Sequence, residues 1–206
     1  MSEERRVMKR FATPPLLPLL PLALLAILPG CISFGAEPPP SLLTLTPAAS
    51  IAAGAAGEGN LAAAMAVQVP SAPQRLSVTR VPVTTSDSSL AYLKDAVWVE
   101  KPADLFRNVL AETIRARGNR LVVDGGGLEY AAPTQLMGEL VEMGYDAPTS
   151  SVLVRYDAVL ALPGGVVRTR RFEHRISGVL AEPEAVGAAL NTAANRVADE
   201  VAAWVG

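Results

Sequence analysis

The chain has 206 residues, with 18 basic and 20 acidic side chains and a formal net charge of −2. This balance argues against a nucleic-acid-binding protein, which needs clustered Lys and Arg to neutralise phosphates. The single cysteine excludes an internal disulfide, and the length allows one domain with a substantial hydrophobic core.

The first thirty residues have the layout of a secretory signal peptide. Four basic residues within positions 5–10 precede an uncharged, largely apolar run at positions 11–28. Four prolines interrupt this run, so it is a poor transmembrane helix. We therefore predict a signal peptide at residues 1–30. Met1 and Met8 are both possible starts, because Met8-Lys9-Arg10 also makes a conventional signal-peptide beginning.

The signal peptide ends in a sequence that resembles the lipobox of bacterial lipoproteins. Leu28, Pro29 and Gly30 match the cleavage motif, and Cys31 is the residue whose thiol would be acylated. The alternative, a small apolar cysteine in a core, fits this position less well. Stable anchoring needs two or more acyl chains, which a mature bacterial lipoprotein carries. Ile32 follows, not the aspartate associated with inner-membrane retention, so the predicted location is the periplasmic face of the outer membrane.

The mature chain divides into a short tether and one domain. Without residues 1–30 it has 176 residues, 14 of them basic and 18 acidic. Residues 31–41 contain the lipidated cysteine and a Pro-rich spacer that should stay extended. Residues 42–206 are predicted to form a single α/β domain. Residues 48–66 are rich in Ala and Gly, and this composition is compatible with a loose helix or with a loop.

Hydrophobic alternation and turn residues predict eight strands in the domain. They span residues 41–46, 67–69, 76–83, 90–98, 121–123, 136–143, 151–162 and 166–176. Pro163-Gly164-Gly165 is predicted to be a hairpin turn between the last two strands. The last strand carries a run of arginines, which we interpret as a solvated or edge face. These arginines are Arg168, Arg170, Arg171 and Arg175.

Two amphipathic helices are predicted. The first begins at Pro102, has Asp104 in its first turn, and ends at Gly118 in a left-handed turn. Its apolar face comprises Leu105, Phe106, Val109, Leu110 and Ile114. The second helix spans residues 183–204. Its apolar stripe comprises Val186, Leu190, Ala193, Val197, Val201 and Trp204.

The residue inventory does not favour catalysis. His174 is the only histidine and Cys31 the only cysteine, so a zinc site of the usual His and Cys ligands cannot form. No Gly-x-Ser-x-Gly sequence is present to position a nucleophilic serine. Glu139, Glu142 and Asp146 are interpreted as a solvated strand face and its turn. We therefore predict no catalytic residue, no metal and no cofactor other than the acyl chains on Cys31.

One set of residues resembles a known family. Tyr92, then Trp98 and Glu100, then the leucines Leu105 and Leu110 of the first helix have the spacing of the ABC-type transport auxiliary lipoprotein family. The resemblance implies an α/β (α+β) sandwich, a mostly antiparallel sheet with both helices packed on it. It also implies structural, not catalytic, roles for these five residues.

The resemblance implies a function in envelope transport. Members of the family serve MCE-type systems, which move lipids or other hydrophobic molecules across the envelope. The expected partners are an MCE-domain protein and ABC transporter components, with the membrane bound through the lipid anchor and no nucleic acid. The alternative hypothesis is a periplasmic lipoprotein that itself binds a hydrophobic small molecule, which would require a large apolar pocket.

Overall fold

The computed structural model describes residues 41–55, 59–118, 121–123 and 127–206, which form seven strands and three α-helices. The strands are β1 (Met65–Val67), β2 (Arg80–Ser86), β3 (Ser89–Val97), β4 (Val122–Val123), β5 (Thr134–Asp146), β6 (Ser151–Ala161) and β7 (Val167–Ser177). The helices are α1 (Pro102–Arg117), α2 (Leu128–Ala131) and α3 (Pro183–Val205). None of the described helices is both long enough and apolar enough to cross a membrane.

Strand β5 is the centre of the sheet. Along one side it pairs with β6 in antiparallel orientation over almost its whole length, and β7 pairs antiparallel with β6 farther out. The other side of β5 is shared by two strands, because β1 pairs in parallel with its beginning and β2 with its end. Beyond these lie β4, parallel to β1, and β3, antiparallel to β2. The described sheet therefore ends at β7, β4 and β3.

The prediction of a mostly antiparallel sheet with two helices was wrong. Three of the described strand pairs are parallel, so the sheet is mixed, and the short helix α2 is a third helix. Parallel neighbours need a long crossover connection, and α1 lies in the connection from β1 and β2 to β5. Alternation of apolar side chains reports which face of a strand is buried but carries no information on its direction.

Helices α1 and α3 pack on one face of the sheet and on each other. The ring of Phe106 meets Tyr156 of β6 edge-on, with 5.3 Å between centroids. Trp204 of α3 meets Phe172 of β7 in the same way at 5.6 Å. The predicted apolar faces of both helices are confirmed as buried, except that Trp204 is only partly covered. One hydrophobic core thus joins the sheet to its two large helices.

Both large helices begin and end close to the predicted residues. Pro102 and Pro183 occupy first-turn positions, where the missing N–H has no intrahelical partner to lose. Gly118 follows α1 as predicted, but its φ of −93° is not left-handed. Its N–H instead donates to the carbonyl of Ile114 at 2.7 Å. The sequence therefore indicated the end of the helix correctly and its geometry incorrectly.

The N-terminal part of the domain differs most from the prediction. The strand expected at 41–46 is reduced to one bridge, between Leu43 and Trp98. Strand β1 begins at Met65, two residues earlier than expected, and Val69 is exposed. The residues before β1 are irregular where they are described, apart from a 3-10 turn at Leu61–Ala63. Residues 56–58 of the Ala/Gly-rich stretch lie outside the description.

Strand β7 confirms the prediction for the arginine run. Among the described strands it pairs only with β6, and all four of its arginines are exposed. The hairpin turn is confirmed as well, since Pro163–Gly165 forms a 3-10 turn between β6 and β7. The face of β5, β6 and β7 opposite to α1 and α3 carries ion pairs, and we call it the open face.

Candidate functional site

The predicted lipidation site lies outside the described residues. Cys31 and its cleavage motif of Leu28, Pro29 and Gly30 therefore stay predictions from the sequence. The first described residue is Ser41. The structure consequently defines two features that bear on function, namely the segment through which the chain enters the domain and the exposed surfaces of the domain.

The entry segment, residues 43–51, is attached to the domain along its length. The N–H of Leu43 donates to the carbonyl of Val97 at 2.8 Å, and the carbonyl of Leu43 accepts from Val99 at 2.9 Å. At the other end, the N–H of Ile51 donates to Oε1 of Glu112 on α1 at 2.9 Å. The segment is thereby joined to the end of β3 and to α1.

Two asparagines of α3 hold the middle of the entry segment. Oδ1 of Asn191 accepts from the N–H of Thr46 at 2.8 Å, and Oδ1 of Asn195 accepts from the N–H of Ala48 at 2.7 Å. Nδ2 of Asn195 also donates to the carbonyl of Thr46 at 2.9 Å. The segment that was predicted to be a strand is therefore bound largely by side chains of a helix.

This contact surface on α3 was missed in the sequence analysis, although a signal for it exists. Gly187, Asn191 and Asn195 follow one another at intervals of four residues, so they lie on one face of the helix. A Cβ at Gly187 would lie 2.7 Å from Cδ2 of Leu43. The glycine therefore lets the entry segment approach the helix, and the asparagines bind its backbone.

Three of the five family-motif residues belong to the core. Trp98 is 1 % exposed, and its backbone N–H donates to the carbonyl of Thr79 at 2.8 Å. Its indole Nε1 is buried without a hydrogen-bond partner among the described residues. Leu105 and Leu110 lie on the buried face of α1. These three residues stabilise the junction of β3, α1 and the entry segment.

The other two motif residues reach the surface. Tyr92 of β3 lies beneath the guanidinium of Arg80, whose carbon is 4.4 Å from the ring centroid. Glu100 is exposed just before α1. The structure therefore does not bring the five residues together as one site, and one of them, Glu100, borders an open cleft.

Glu100 lies in an open cleft at the start of α1. The cleft has a volume of about 750 Å³ and is bounded by the end of β1, the first turns of α1 and the helix α2. It is lined by Val67, Gln68, Val69, Thr79, Glu100, Lys101, Asp104, Arg107, Asn108, Glu129 and Tyr130. Tyr130 is 84 % exposed on its rim. Clefts outside the carboxyl ends of parallel strands are frequent binding places.

The cleft carries charged and hydrogen-bonding groups among its lining residues. Nε of Arg107 on α1 donates to the carbonyl of Val67 at the end of β1, at 3.0 Å. Oε2 of Glu129 is shielded from solvent and has no hydrogen-bond partner among the described residues. Among these residues, no three His, Cys, Asp or Glu side chains are grouped so that they could hold a metal ion. The cleft therefore offers charged and hydrogen-bonding groups to an incoming polar segment.

The residues considered for catalysis do not converge. His174 is half-buried on β7, directly opposite Val154 of β6. Glu142 is bound to Arg75 at 2.9 Å, and Asp146 lies 3.2 Å from Arg175. Glu142 is thus paired with a residue of the 3-10 turn Gln74–Leu76, and Asp146 with a residue of β7.

Two titratable groups of β6 have shifted pKa values. A hydrogen bond from Arg171 holds the pKa of Asp157 below its usual range, and the charges of Arg171 and Arg155 act in the same direction. Burial raises the pKa of Tyr156, whose hydroxyl donates to the carbonyl of Met137 at 2.7 Å. Tyr156 therefore stays neutral and acts as a hydrogen-bond donor within the sheet.

Two solved structures share the fold. A crystal structure of a protein from Xanthomonas campestris is 18% identical, matches 81% of this chain and 92% of its own, and gives a TM-score of 0.61. A crystal structure of an uncharacterized protein is 14% identical, matches 71% of this chain and 95% of its own, and gives a TM-score of 0.60. At these identities the likeness establishes the fold alone. Comparison with curated protein sequences gives no significant match.

The sequence model of one family covers most of the chain. It matches residues 43–202, which begin at the entry segment and end in the last turns of α3. The match therefore includes the family-motif residues, the sheet and both large helices. The chain belongs to the family of ABC-type transport auxiliary lipoprotein components.

Proposed function

We propose that this lipoprotein is an outer-membrane-anchored periplasmic accessory of an MCE-type ABC transport system that moves lipids or other hydrophobic molecules. It acts by binding protein components of that system, with an MCE-domain protein as the main partner. The family match over residues 43–202 carries the proposal, because it associates the whole domain with ABC-type transport. The predicted signal peptide, Cys31 and Ile32 supply the envelope location.

The entry segment supports a working position close to the membrane. The chain is bonded to the domain from Leu43 onward, which is twelve residues after Cys31. Twelve residues reach at most about 43 Å when fully extended. A domain held within this distance of the outer membrane can contact only a partner that extends across most of the periplasm. An MCE-domain protein of an inner-membrane system is a candidate for that partner.

The alternative function, binding of a hydrophobic small molecule, has less support. Large side chains fill the described core, and Trp98, Tyr156, Phe106 and Phe172 are all less than 2 % exposed. The cleft beside Glu100 is open and carries five charged side chains. Sites for apolar ligands are instead concave and mostly apolar. These features favour contact with a protein.

Copurification from membranes tests the proposal. The full-length lipoprotein, tagged at its C-terminus, should bring down an MCE-domain protein after gentle detergent extraction and chemical cross-linking. Another outer-membrane lipoprotein with the same tag serves as the control. Recovery of no transport component, together with lipid retained in stoichiometric amount by the purified protein, would favour the small-molecule hypothesis instead.

A further inference from the structure

The outer edge of β7 is a long unpaired strand edge. Its eleven residues pair with β6 without a break in register, and no other described strand lies beside it. Natural edge strands of this length are usually interrupted, covered or charged. β7 contains no proline, so charge is the protection that its sequence provides.

The hairpin determines which backbone groups of β7 are free. The N–H of Leu162 donates to the carbonyl of Val166 at 2.8 Å, which makes these two residues a hydrogen-bonded pair. Hydrogen-bonded and non-bonded pairs alternate along antiparallel strands. Even-numbered residues of β7 therefore bond to β6, while odd-numbered residues from Val167 to Ser177 direct their N–H and C=O groups outward.

The charge of β7 is strongly positive, with four arginines against Glu173. On the open face this charge is already compensated. Arg171 binds Asp157 through two contacts of 2.6 Å, Arg175 lies 3.2 Å from Asp146, and Arg155 of β6 binds Glu173 at 2.7 Å.

On the opposite face, two arginines remain uncompensated. Arg168 and Arg170 are exposed, and neither forms an ion pair with any described residue. The guanidinium carbon of Arg170 lies over the ring of Phe172, 4.8 Å from its centroid. Arg168 and Arg170 are alternate residues of the strand, so their side chains leave the same face from Cα atoms about 6.6–6.8 Å apart.

We propose that the edge of β7 binds an extended acidic segment of a partner protein, which adds to the sheet as a further strand. The outward N–H and C=O groups would supply main-chain hydrogen bonds, as in other cases of strand addition. An acid-x-acid sequence in the segment would place two carboxylates beside Arg168 and Arg170. A second copy of this chain fits poorly, because β7 has a formal net charge of +3 and would face an equally positive strand.

This inference rests on the proposed function and deepens it, since it names the surface and the kind of partner. The partner segment is defined by its chemistry alone: extended, acidic at alternate positions and apolar between them. The apolar positions lie on the other face of the added strand, where they would contact Val167, which is exposed at the beginning of β7.

Two synthetic peptides test the proposal directly. One is the capped heptapeptide Thr-Val-Glu-Val-Glu-Val-Thr, and the other carries lysine in place of both glutamates. Fluorescence anisotropy with the full-length lipoprotein in a non-ionic detergent should show binding of the Glu peptide and at least tenfold weaker binding of the Lys peptide. Hydrogen exchange should slow at odd-numbered amides of β7 when the Glu peptide is present. Equal binding of both peptides, or unchanged exchange in β7, would overturn the proposal.

Variants locate the binding to the edge. Arg168→Glu combined with Arg170→Glu should weaken binding of the Glu peptide at least tenfold, whereas Arg196→Glu, at an exposed arginine of α3, should leave it unchanged. Thr169→Pro removes an outward N–H without removing a bond to β6, and should also weaken binding. Unchanged melting curves would establish that each variant is folded. Tight binding by all of them would contradict the proposal.

A lipid probe separates protein binding from headgroup binding. Short-chain phosphatidylglycerol should not compete with the Glu peptide. If the double arginine variant no longer binds phosphatidylglycerol but still binds the Glu peptide as tightly as the wild type, the two arginines bind lipid headgroups and the proposal fails. Because the peptide assay contains no MCE-domain protein, its failure leaves the copurification test of the proposed function unaffected.

Discussion

Asp157 and Arg171 show how single residues organise the open face of the sheet. They form a two-point contact across β6 and β7, with both nitrogen–oxygen distances at 2.6 Å. Both side chains are partly exposed, so the pair contributes little net stability. Its main effect is on charge, because it lowers the pKa of Asp157 and neutralises one arginine of the edge strand.

We predict that Arg171→Gln raises the pKa of Asp157 toward the ordinary aspartate value. Because the folded-state pKa is depressed, its stabilising contribution is present above the unfolded-state pKa and is lost as pH falls through the folded value. In the variant this contribution should be reduced, so its stability should depend less on pH in the acidic range than that of the wild type. Carbon-13 NMR titration of the carboxyl group measures the pKa. Arg168→Gln is the control, and an unchanged Asp157 titration in Arg171→Gln would contradict the prediction.

Gly138 is a second residue whose identity the fold requires. Its φ is +150°, and a Cβ built there would overlap the carbonyl oxygen of Asp157 and lie 2.9 Å from the Tyr156 ring. We predict that Gly138→Ala destabilises the domain by about 1–3 kcal/mol, through overpacking and backbone strain. The midpoint of denaturant unfolding measures this loss. Gly164→Ala is the matched control, because Gly164 also has positive φ but has no atom within 4 Å of the added carbon.

At the scale of elements, α3 has two roles, because one of its faces packs on the sheet and another binds the entry segment. Its apolar stripe covers β6 and β7, while Gly187, Asn191 and Asn195 bind the entry segment. The same helix therefore stabilises the core and fixes the position at which the described chain enters the domain. Leu45 is buried by this arrangement, whereas Leu42 is 53 % exposed.

We predict that Asn195→Ala releases the entry segment without unfolding the sheet. The substitution leaves the N–H of Ala48 and the carbonyl of Thr46 without their partners, at a cost of about 1–3 kcal/mol. Hydrogen exchange should accelerate at residues 43–48 and stay unchanged in β6. Thr192→Ala is the control, because that exposed hydroxyl bonds only to the carbonyl of Ala188 within its own helix. Equal protection in both variants would show that the asparagine is dispensable.

At the scale of the whole molecule, the domain and its anchor have to be considered together. The described domain supplies a cleft beside Glu100 and a positive strand edge, both open to a partner. The predicted acyl chains on Cys31 would keep these surfaces at one membrane. On the proposed function, these surfaces would bind protein partners at that membrane.

We predict that Cys31→Ala abolishes acylation and leaves an uncut precursor in the inner membrane. The reason is that the resemblance to a lipobox makes this thiol the predicted acceptor of the first lipid, and it is the only thiol in the chain. Metabolic labelling with a fatty acid, followed by membrane fractionation, measures both effects. Labelled Cys31→Ala protein would remove the lipoprotein assignment of this residue, and normal labelling of a Ser41→Ala control would show that export itself is intact.

The sequence by itself determined the elements whose signals are local. Helices α1 and α3 were predicted within a residue or so, because helical periodicity and first-turn prolines depend only on neighbouring positions. The hairpin at Pro163–Gly165 and the charged edge of β7 were predicted for the same reason. The family that the sequence resembles was confirmed as well, by a match over residues 43–202.

Only the tertiary structure decided how these elements combine. Whether β1 and β2 run parallel or antiparallel to β5 depends on crossovers, which leave no trace in the alternation of a strand. The attachment of residues 43–48 to α3 joins positions nearly 150 residues apart through side chains of asparagine. The cleft beside Glu100 also forms only when β1, α1 and α2 meet. Such contacts depend on distance in space, which local sequence patterns do not encode.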